Sequence, residues 1–428
     1  MAGWRSTIFC LLALSACAPA GTVTTGAQDI CCGKRGLALA YQYQVEGLDE
    51  RRFDHLGYWK ALGAALDADP AGRVRVTPVG RSIEGRMINA VTVGAGPTSV
   101  LLWSQMHGDE STASMSLADI IHWFAASPDG DELRHKLERR LTITMIPMLN
   151  PDGAERFIRH NALGVDINRD AKRLATPEAQ ILKAVRDSLD ADFGFNLHDQ
   201  GPRAAGPDGD LVAIALLAPA ADEERSWGPV RQRARHVSAV IAAALQAEIP
   251  GLIARYDDAF TPRAFGDNMQ IWGTATVLIE SGMLPDDPQK QELRRLNVLG
   301  ILAALESIAD GSYESAPVAA YDDLPLNVDL SNDLLFTGGR VVMSDGESYR
   351  ADIAVVFDDA IARTGPRYGE IGDLSGARAV EVIDVSGLFI HPGTDVLIRG
   401  EPATLSVRTG VTSTSEEVLS LGADSRTP

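Results

Sequence analysis

Residues 98–111 read TSVLLWSQMHGDES, and this stretch carries both the fold prediction and the first functional signal of the chain. A continuous apolar run, TSVLLW, is followed by a polar turn and then by a helical pattern near residues 112–126. Similar apolar runs recur along the chain and alternate with helical segments. Continuous apolar strands between helices are typical of a sheet that is buried on both faces. The stretch therefore predicts an α/β fold.

The same alternation predicts how the chain is organised. Over residues 49–312 we expect a sheet that is flanked by helices on both faces. From residue 320 to 415 the runs are short and alternating, with Gly and Asp turns and no helical stretch. That texture predicts a small all-β domain. A linker over residues 18–48 and a loose tail over residues 416–428 complete the predicted organisation.

The N-terminus has the layout of a secretory signal. Residues 1–17 read MAGWRSTIFCLLALSAC, with one arginine ahead of an apolar core. The ending LSAC resembles the bacterial lipobox, in which the cysteine, here Cys17, is lipidated; a signal cleaved after Ala20 is the alternative. Either interpretation exports the protein. We expect a periplasmic protein of a Gram-negative bacterium, attached to the outer membrane only through lipidated Cys17.

Composition excludes some classes of function. The chain has 428 residues and a formal net charge of −19, and no long run of Lys and Arg interrupts the acidic balance. Nucleic-acid binding is therefore not expected. Beyond the signal segment the cysteines are Cys31 and Cys32, which are adjacent and lack the further cysteines that a zinc site would need. Their role stays open.

Polar side chains follow four separate apolar runs at the point where each run ends. His107 and Glu110 come after TSVLLWSQ, Asn150 closes LTITMIPMLN, His198 closes FGFNLH and Glu280 closes TATVLIE. In an open α/β sheet, ligands bind outside the carboxyl ends of the strands. We therefore expect these side chains to meet in one site.

Two histidines and one carboxylate are the ligand set of a catalytic zinc site, in which water takes the fourth position. One loop can supply both His107 and Glu110, and His198 arrives from another strand. Zinc lowers the pKa of water, and a nearby carboxylate can take the proton. Glu280 fits that base, because burial at the end of a strand would raise its pKa. The residues predict one Zn²⁺ ion.

The stretch NPDGAERFIRHNALGVDINRD, residues 150–170, supplies two candidate cations. Attack of water on an amide builds a tetrahedral oxyanion, which needs a cation or hydrogen-bond donors. Either Arg159 or Arg169 could fill this role, and the other could hold a substrate carboxylate in a bidentate fashion. The residue types alone leave the two roles open.

Taken together, the ordered motifs resemble the zinc metallocarboxypeptidases of the carboxypeptidase A type. The matching elements are GRSIEGR, HGDE, NPDG, two arginines ten residues apart that close on DINRD, a histidine closing a strand and a glutamate closing a later strand. They occur in the family's order over roughly residues 50–310. The resemblance implies a mixed, mostly parallel sheet flanked by helices over residues 49–312. It also implies a peptide substrate with a free C-terminal carboxylate.

The resemblance also implies a role for each matching residue. These roles are zinc ligation by His107, Glu110 and His198, base catalysis by Glu280, oxyanion stabilisation by Arg159, and carboxylate binding by Asn168 and Arg169. The family's substrate-capping tyrosine falls in the region of Tyr256. The residue that sets side-chain preference falls within PRAFGDNMQIW, where Asp267 would favour a basic side chain.

The chain departs from the digestive members of that family in two places. Glu110 and His198 are separated by 87 residues, 111–197, which is similar to the shorter bacterial and cytosolic-type members. His198 is followed by Asp199 rather than by serine. Asp199 is a candidate partner for a histidine ligand, and Asp170 is a candidate partner for Arg169. Asp166 is interpreted as a turn residue.

The C-terminal region resembles the small β-sandwich that flanks amidohydrolase barrels. In those enzymes an H-x-H motif follows the Pro-Gly, whereas residues 391–400 read HPGTDVLIRG, without that motif. Too few residues remain for a barrel. We therefore expect a domain that serves docking or packing, with a structural role for His391.

These observations predict an exported, zinc-dependent carboxypeptidase that hydrolyses the amide next to a C-terminal residue. Two alternatives remain. A zinc amidohydrolase could act on peptidoglycan peptides or N-acyl amino acids with the same residues. A catalytically inactive binding lipoprotein is the alternative of another class, although ligands, base and arginines are all present together.

Overall fold

The computed structural model describes the chain from residue 36 to residue 422, with gaps at residues 68, 70, 208 and 395. The predicted signal segment, with Cys17, Cys31 and Cys32, lies outside this described part. Within the described part, no helix combines the length and the apolar character that crossing a membrane requires.

A central sheet dominates the first part of the described chain. The strands up to residue 281 are β1 (Arg75–Arg81), β2 (Met87–Val93), β3 (Thr98–Trp103), β4 (Leu141–Ile146), β5 (Phe193–Asp199), β6 (Arg203–Ala205), β7 (Ile214–Leu217), β8 (Ile253–Arg255) and β9 (Ala275–Ser281). All except β6 form the sheet, in the order β1-β2-β4-β3-β5-β9-β7-β8.

Parallel pairing occupies the middle of this sheet. β3 pairs in parallel with both β4 and β5, β5 pairs in parallel with β9, and β7 pairs in parallel with β8. The pairs β1–β2, β2–β4 and β7–β9 are antiparallel. The sheet is therefore mixed and mostly parallel, and this prediction is confirmed.

Helices cover both faces of the sheet. They are His55–Leu66, Thr112–Ala126, Glu132–Arg140, Pro151–Arg156, Pro177–Leu189, Pro229–Gln246, Phe265–Ile271, Gln291–Asp310 and Ala319–Asp322. Successive residues of β3 point to opposite faces. Val100 and Leu102 accordingly join one hydrophobic core, and Leu101 and Trp103 join a second core on the other face. Burial on both faces explains why β3 appears in the sequence as a continuous apolar run.

The segment before the first long helix is part of the main core. Residues 36–42 are helical, and Leu39, Tyr43, Val45 and Leu48 are buried among the residues of the central sheet and its helices. The Val45 amide also donates to Asp119 Oδ1 at 2.7 Å. The predicted linker over residues 18–48 is therefore wrong for its described part, because these apolar side chains gain more from burial than a linker would allow.

The region after residue 326 is entirely β. Its strands are β10 (Asn327–Asp329), β11 (Asn332–Thr337), β12 (Arg340–Val342), β13 (Ser348–Arg350), β14 (Asp352–Asp359), β15 (Thr364–Gly372), β16 (Ala379–Asp384), β17 (Phe389–Pro392), β18 (Leu405–Arg408) and β19 (Glu417–Leu421). Two sheets, β15-β14-β11-β16 and β13-β12-β17-β18-β19, share one core that includes Phe336 from the first and Ile390 from the second. The predicted sandwich-like domain is present, and we call it the β domain.

The β domain extends further than expected and contacts the central domain. Residues Glu417–Leu421 form β19 against β18, so the prediction of a loose tail from residue 416 is wrong for these five residues. Leu421 is buried in the domain core, which explains the ordering. At the other end, β10 pairs with β6 of the central domain, and Arg51 forms an ion pair with Asp359.

Candidate active site

The three strands that carry the site end at the same edge of the sheet. β3, β5 and β9 run parallel, so their carboxyl ends lie side by side. His198 on β5 lies directly opposite Glu280 on β9. His107 and Glu110 follow β3 in the loop that leads to the helix Thr112–Ala126. The sheet edge therefore brings together the residues that the sequence placed at strand ends.

A close backbone approach and the hydrogen bonds of one asparagine hold the HGDE loop against the NPDG turn. A Cβ atom on Gly108 would lie 2.0 Å from the carbonyl carbon of Gly153, a distance that no side chain tolerates. Asn150 accepts a hydrogen bond from the Gly153 amide at 2.9 Å and donates to the Met106 carbonyl at 3.3 Å. Asn150 thus does not enter the site; it joins the two motifs and caps the helix Pro151–Arg156.

The atoms of three side chains converge on one point. His107 Nδ1 lies 2.8 Å from Glu110 Oε1, His198 Nδ1 lies 2.7 Å from Glu110 Oε2, and the two Nδ1 atoms are 3.1 Å apart. Among the described residues, these three form the only group of His, Cys, Asp and Glu that could hold a metal ion. Two imidazole nitrogens and one carboxylate, all directed inward, fit a zinc ion with a further open position.

Asp166 orients one of the histidines. Its Oδ1 lies 3.1 Å from His107 Nε2, which leaves His107 Nδ1 facing the other donors. Its Oδ2 accepts from Arg159 Nε at 3.2 Å and Nη2 at 3.0 Å. The interpretation of Asp166 as a turn residue missed this role, although Asp166 does also cap the short helix Ile167–Arg169. Its position in the DINRD motif was the available signal.

The protonation of these groups is strongly coupled to their neighbours. Burial opposes the charge on His107, but the Glu110 carboxylate and Asp166 outweigh it and raise the pKa of His107 to about 9. Burial lowers the pKa of His198. Burial also opposes the charge on Glu110, but the two histidines lower the pKa of its carboxyl well below the usual range. Glu110 therefore stays anionic, as a metal ligand must.

The electrostatic environment of Glu280 acts on its pKa in the opposite direction to that of Glu110. Loss of hydration, and then the neighbouring Glu110 charge, raise the pKa of the Glu280 carboxyl well above its ordinary value. A carboxyl with a raised pKa at the end of a strand suits a group that accepts a proton during the reaction. The role of Glu280 as the base stays a prediction.

The two arginines differ in what they contact. Arg159 donates to Glu110 Oε1 at 3.2 Å as well as to Asp166. Arg169 is exposed, and its Nη1 donates to the carbonyl of Asn168 at 2.8 Å. Within the described part of the chain, no carboxylate lies in ion-pair distance of Arg169. Arg159 is thus held beside the metal donors, whereas the charge of Arg169 is available to a ligand.

Asp170 and Asp199 do not make the contacts that the sequence suggested for them. Asp170 accepts hydrogen bonds from the backbone of Ala175 and from the backbone and hydroxyl of Thr176, so its suggested pairing with Arg169 is wrong. Its carboxylate is used to shape the turn before the helix Pro177–Leu189. Asp199 accepts from Thr112 and Lys290 rather than from a histidine ligand, so that suggestion is also wrong.

All eight predicted site residues line one cavity of about 320 Å³. They are His107, Glu110, Arg159, Asn168, Arg169, His198, Tyr256 and Glu280. Asn168 is also tied to the adjoining wall, because its Oδ1 accepts from the Phe265 amide at 2.9 Å. Asp267 lines the same cavity, and burial raises the pKa of its carboxyl to about 6.

Tyr256 and Arg203 both line the cavity and lie against each other. The guanidinium carbon of Arg203 lies 5.4 Å from the centre of the Tyr256 ring, a distance that allows a cation–π contact. Burial and the Glu280 charge raise the pKa of the Tyr256 phenol. Sequence reasoning did not identify Arg203, because it lies five residues beyond His198 and outside every recognised motif.

Comparison with known proteins agrees with the class that this geometry defines. Residues 60–188 match the zinc carboxypeptidase family, peptidase M14. This segment contains His107, Glu110, Arg159, Asn168 and Arg169. The chain thus resembles the zinc metallocarboxypeptidases, as its motifs predict, and the match supports an enzyme of this class.

Individual relatives align over limited parts of the chain. Carboxypeptidase D of Mus musculus is 32% identical over 132 residues, which cover 25% of this chain and 10% of that protein. Carboxypeptidase 2 of Trichophyton rubrum is 27% identical over 146 residues, covering 32% of this chain and 27% of the relative. The chain therefore spans only a small share of these relatives.

A solved structure aligns over a larger share of the chain. The metallo-carboxypeptidase from Burkholderia cenocepacia has a TM-score of 0.49 and 21% sequence identity, and the match covers 61% of this chain and 70% of that one.

Proposed function

We propose that the protein is a zinc-dependent carboxypeptidase that hydrolyses the amide next to the C-terminal residue of a peptide. The observation that carries the proposal is the position of Arg169. Its guanidinium, free of carboxylate partners in the described chain, lines the same cavity as the zinc donors and Glu280. A free C-terminal carboxylate is the group that this planar cation would hold in a bidentate fashion.

Each remaining residue then has a task that its contacts support. Zinc held by His107, Glu110 and His198 would supply Lewis-acid activation of water and of the scissile carbonyl. Glu280 takes the proton from water and passes it to the leaving amine. Arg159, anchored by Asp166, directs its charge at the developing oxyanion. The contact with Asp166 favours this role, because a guanidinium that is already in position does not have to reorient as the oxyanion charge develops.

The cavity also suggests a preference for the substrate side chain. Asp267 faces the cavity from the helix Phe265–Ile271 and has a carboxyl whose charge is not neutralised by an ion pair in the described chain. We propose that it favours a basic C-terminal residue. Its Oδ1 is held by the Thr261 amide at 2.9 Å, which fixes the orientation of the carboxylate.

A second candidate function shares this chemistry. A cavity of about 320 Å³ lies near the lower limit for ligand pockets, so it suits a single residue with a short acyl group. N-acyl amino acids and peptidoglycan peptides would use Arg169 and Glu280 in the same way. The two proposals differ in how far the substrate must extend beyond the scissile amide.

Export and anchoring remain proposals that rest on residues 1–17, outside the described part. We propose that the protein is exported to the periplasm and anchored through a lipid on Cys17. Fractionation of cells that express the full chain or its Cys17→Ser variant tests this. The proposal requires that wild type be found with membranes and that the variant be released.

A panel of substrates tests the proposed function. The zinc-loaded protein is given peptides that end in Lys, Leu or a C-terminal amide, together with muropeptides and N-acetyl amino acids, and released amino acids are quantified. We expect release from peptides with a free carboxylate and almost none from the amidated peptide. Release from N-acetyl amino acids or muropeptides alone favours the second candidate, and tight binding without release favours the inactive binding protein.

Arg169→Ala isolates the residue on which the proposal depends. Loss of a hydrogen-bonded charge costs about 1.5–3 kcal/mol, so kcat/KM for carboxylate-terminated peptides should fall roughly 10- to 150-fold. The matched control is Arg173→Ala, which removes an exposed arginine of the same segment that does not line the cavity. Equal effects of Arg169→Ala on free and amidated peptides would contradict carboxylate recognition.

A further inference from the structure

A buried lysine lies behind the zinc donors, outside the cavity. Lys290 is only 3% exposed, and lysine is rarely this buried unless it is paired. Its Nζ lies 3.1 Å from Asp199 Oδ2 and 3.2 Å from the carbonyl oxygen of Ser281. Asp199 directly follows His198, and Ser281 directly follows Glu280. The ammonium therefore contacts the immediate neighbours of a zinc ligand and of the base.

These two contacts bridge adjacent strands. Asp199 on β5 lies opposite Ser281 on β9, one position beyond the pair His198 and Glu280. A single ammonium thus ties the ends of both strands at the edge where the ladder of the sheet stops. The Gln200 amide also donates to the Ser281 carbonyl at 2.9 Å, so a backbone hydrogen bond and the ammonium together close this edge beside His198 and Glu280.

Asp199 extends the connection to the third segment of the site. Its Oδ2 accepts from Thr112 Oγ1 at 2.7 Å, at the start of the helix that follows the HGDE loop. Its backbone amide donates to Glu110 Oε2 at 3.2 Å. The pair Lys290–Asp199 therefore contacts all three segments that supply His198, Glu280 and Glu110.

The charges in this region make the ammonium necessary. Glu110, Asp199 and Glu280 bring three carboxyl groups close together, and the Asp199 and Glu110 charges both act on Glu280. Asp199 Oδ1 is buried and has no hydrogen-bond partner among the described residues. Without Lys290, the Asp199 carboxylate would keep only one side-chain donor, the Thr112 hydroxyl. Most of the charge of this buried carboxylate would then be uncompensated.

The backbone of Lys290 has an uncommon conformation. Its φ of 54° and ψ of 32° lie in the left-handed region, which residues with a side chain seldom adopt. The residue precedes the helix Gln291–Asp310 but makes no side-chain cap of that helix. Its side chain is directed instead to Asp199 and Ser281. Uncommon backbone conformations of this kind are often kept at functional sites.

We propose that Lys290 is a positioning residue of the zinc centre, which holds Asp199 and the ends of β5 and β9 so that His198, Glu110 and Glu280 face one metal ion. The inference rests on the zinc site of the proposed function and is independent of which amide is hydrolysed. Lys290 does not line the cavity, so it has no contact with substrate.

Zinc affinity of the full chain tests this role without any measurement of hydrolysis. In competition with a chromophoric chelator at fixed pH, Lys290→Met should weaken zinc binding about 10- to 100-fold, the usual effect of removing a group that supports metal ligands. Asp199→Asn should have a similar effect. The double variant should be little worse than either single variant, because both remove the same ion pair.

The matched control is Lys136→Met. Lys136 pairs with Glu306 and Asp310 and lies outside the site, so its loss should leave zinc affinity unchanged. Steady-state kinetics provide a second measurement: Lys290→Met should lower kcat while KM stays within about twofold, because the substrate contacts remain. Circular dichroism of the metal-free proteins verifies that each variant is folded; if Lys290→Met does not fold, Lys290→Gln replaces it.

The outcomes separate this inference from the proposed function. A folded Lys290→Met or Lys290→Gln protein that binds zinc as tightly as wild type overturns the positioning role and leaves the proposed function intact. Additive losses in the Lys290→Met/Asp199→Asn double variant also contradict it. A wild-type protein that binds no zinc contradicts the proposed function itself.

Discussion

The cavity at the edge of the central sheet and a cavity in the β domain are both lined by histidine and arginine, yet they differ in chemistry. The first has a volume of about 320 Å³ and receives side chains from the ends of β5 and β9 and from the loop after β3. The second is larger, about 400 Å³, and is lined by His391, Arg408 and neighbouring residues of β17 to β19 and the segments between these strands. Volume alone therefore does not identify the site.

Polar groups of the β-domain cavity are satisfied by their own neighbours. His391 Nε2 faces the Gly410 carbonyl at 2.9 Å, and Arg408 contacts Glu417 and the Ser415 carbonyl. At the sheet edge, by contrast, three side chains point their donor atoms at one another. A candidate metal centre is therefore recognised by side chains from different segments that converge on one point. The presence of a histidine alone does not identify such a centre.

Histidine-to-alanine variants in the two cavities test this comparison with the largest expected effect. His198→Ala should lose bound zinc and lower kcat/KM about 1000-fold or more, because the metal supplies several kcal/mol of transition-state stabilisation. His391→Ala should keep both zinc content and activity. Metal analysis of the purified proteins, together with peptide hydrolysis, measures the two effects. A loss of zinc in His391→Ala would show that the β domain takes part in the centre.

Glu280→Gln separates proton transfer from metal binding within the first cavity. It removes a base but keeps the shape, so activity should fall about 100- to 10,000-fold. Zinc content should not fall, since Glu280 is outside the donor group. The control is Glu401→Gln, an exposed residue of the β domain. If Glu280→Gln retains activity, another group takes the proton and the assignment of the base is wrong.

Some residues of the first cavity could be predicted because they close apolar runs of the sequence. A strand buried on both faces is a continuous apolar run, and any His or Glu that closes it is conspicuous. His198 and Glu280 were found in this way, and the structure places them opposite each other on β5 and β9. The same apolar runs predicted the central sheet, although the strand order needed the three-dimensional pairing.

Other features depend on contacts that no local pattern records. Lys290 meets Asp199 across 91 positions, and Asp166 meets His107 across 59, so their roles arise only when the chain is folded. The buried segment near residues 36–48 was missed for a related reason. Its apolar residues, such as Tyr43 and Leu48, are spaced among small and polar ones and become a core element only against distant helices.

Substrate preference as a function of pH tests the contribution of Asp267, and this is the smallest effect expected. Burial raises the pKa of its carboxyl to about 6, so the group is charged above that pH and neutral below it. Attraction for a basic side chain should therefore be present at pH 7.5 and lost as the pH falls through about 6. The ratio of kcat/KM for peptides ending in Lys and in Met measures this loss.

The ratio of kcat/KM for the two peptides isolates Asp267 because both meet the same zinc ligands, the same Glu280 and the same Arg169. Changes of pH that act on these shared groups cancel in the ratio. We expect the preference for Lys to fall roughly tenfold between pH 7.5 and pH 5, in line with the loss of one charge-assisted contact. Asp267→Asn should show a low ratio that does not vary with pH. A wild-type ratio that stays constant would mean that Asp267 does not recognise the side chain, and that the cavity distinguishes its substrates by Arg169 alone.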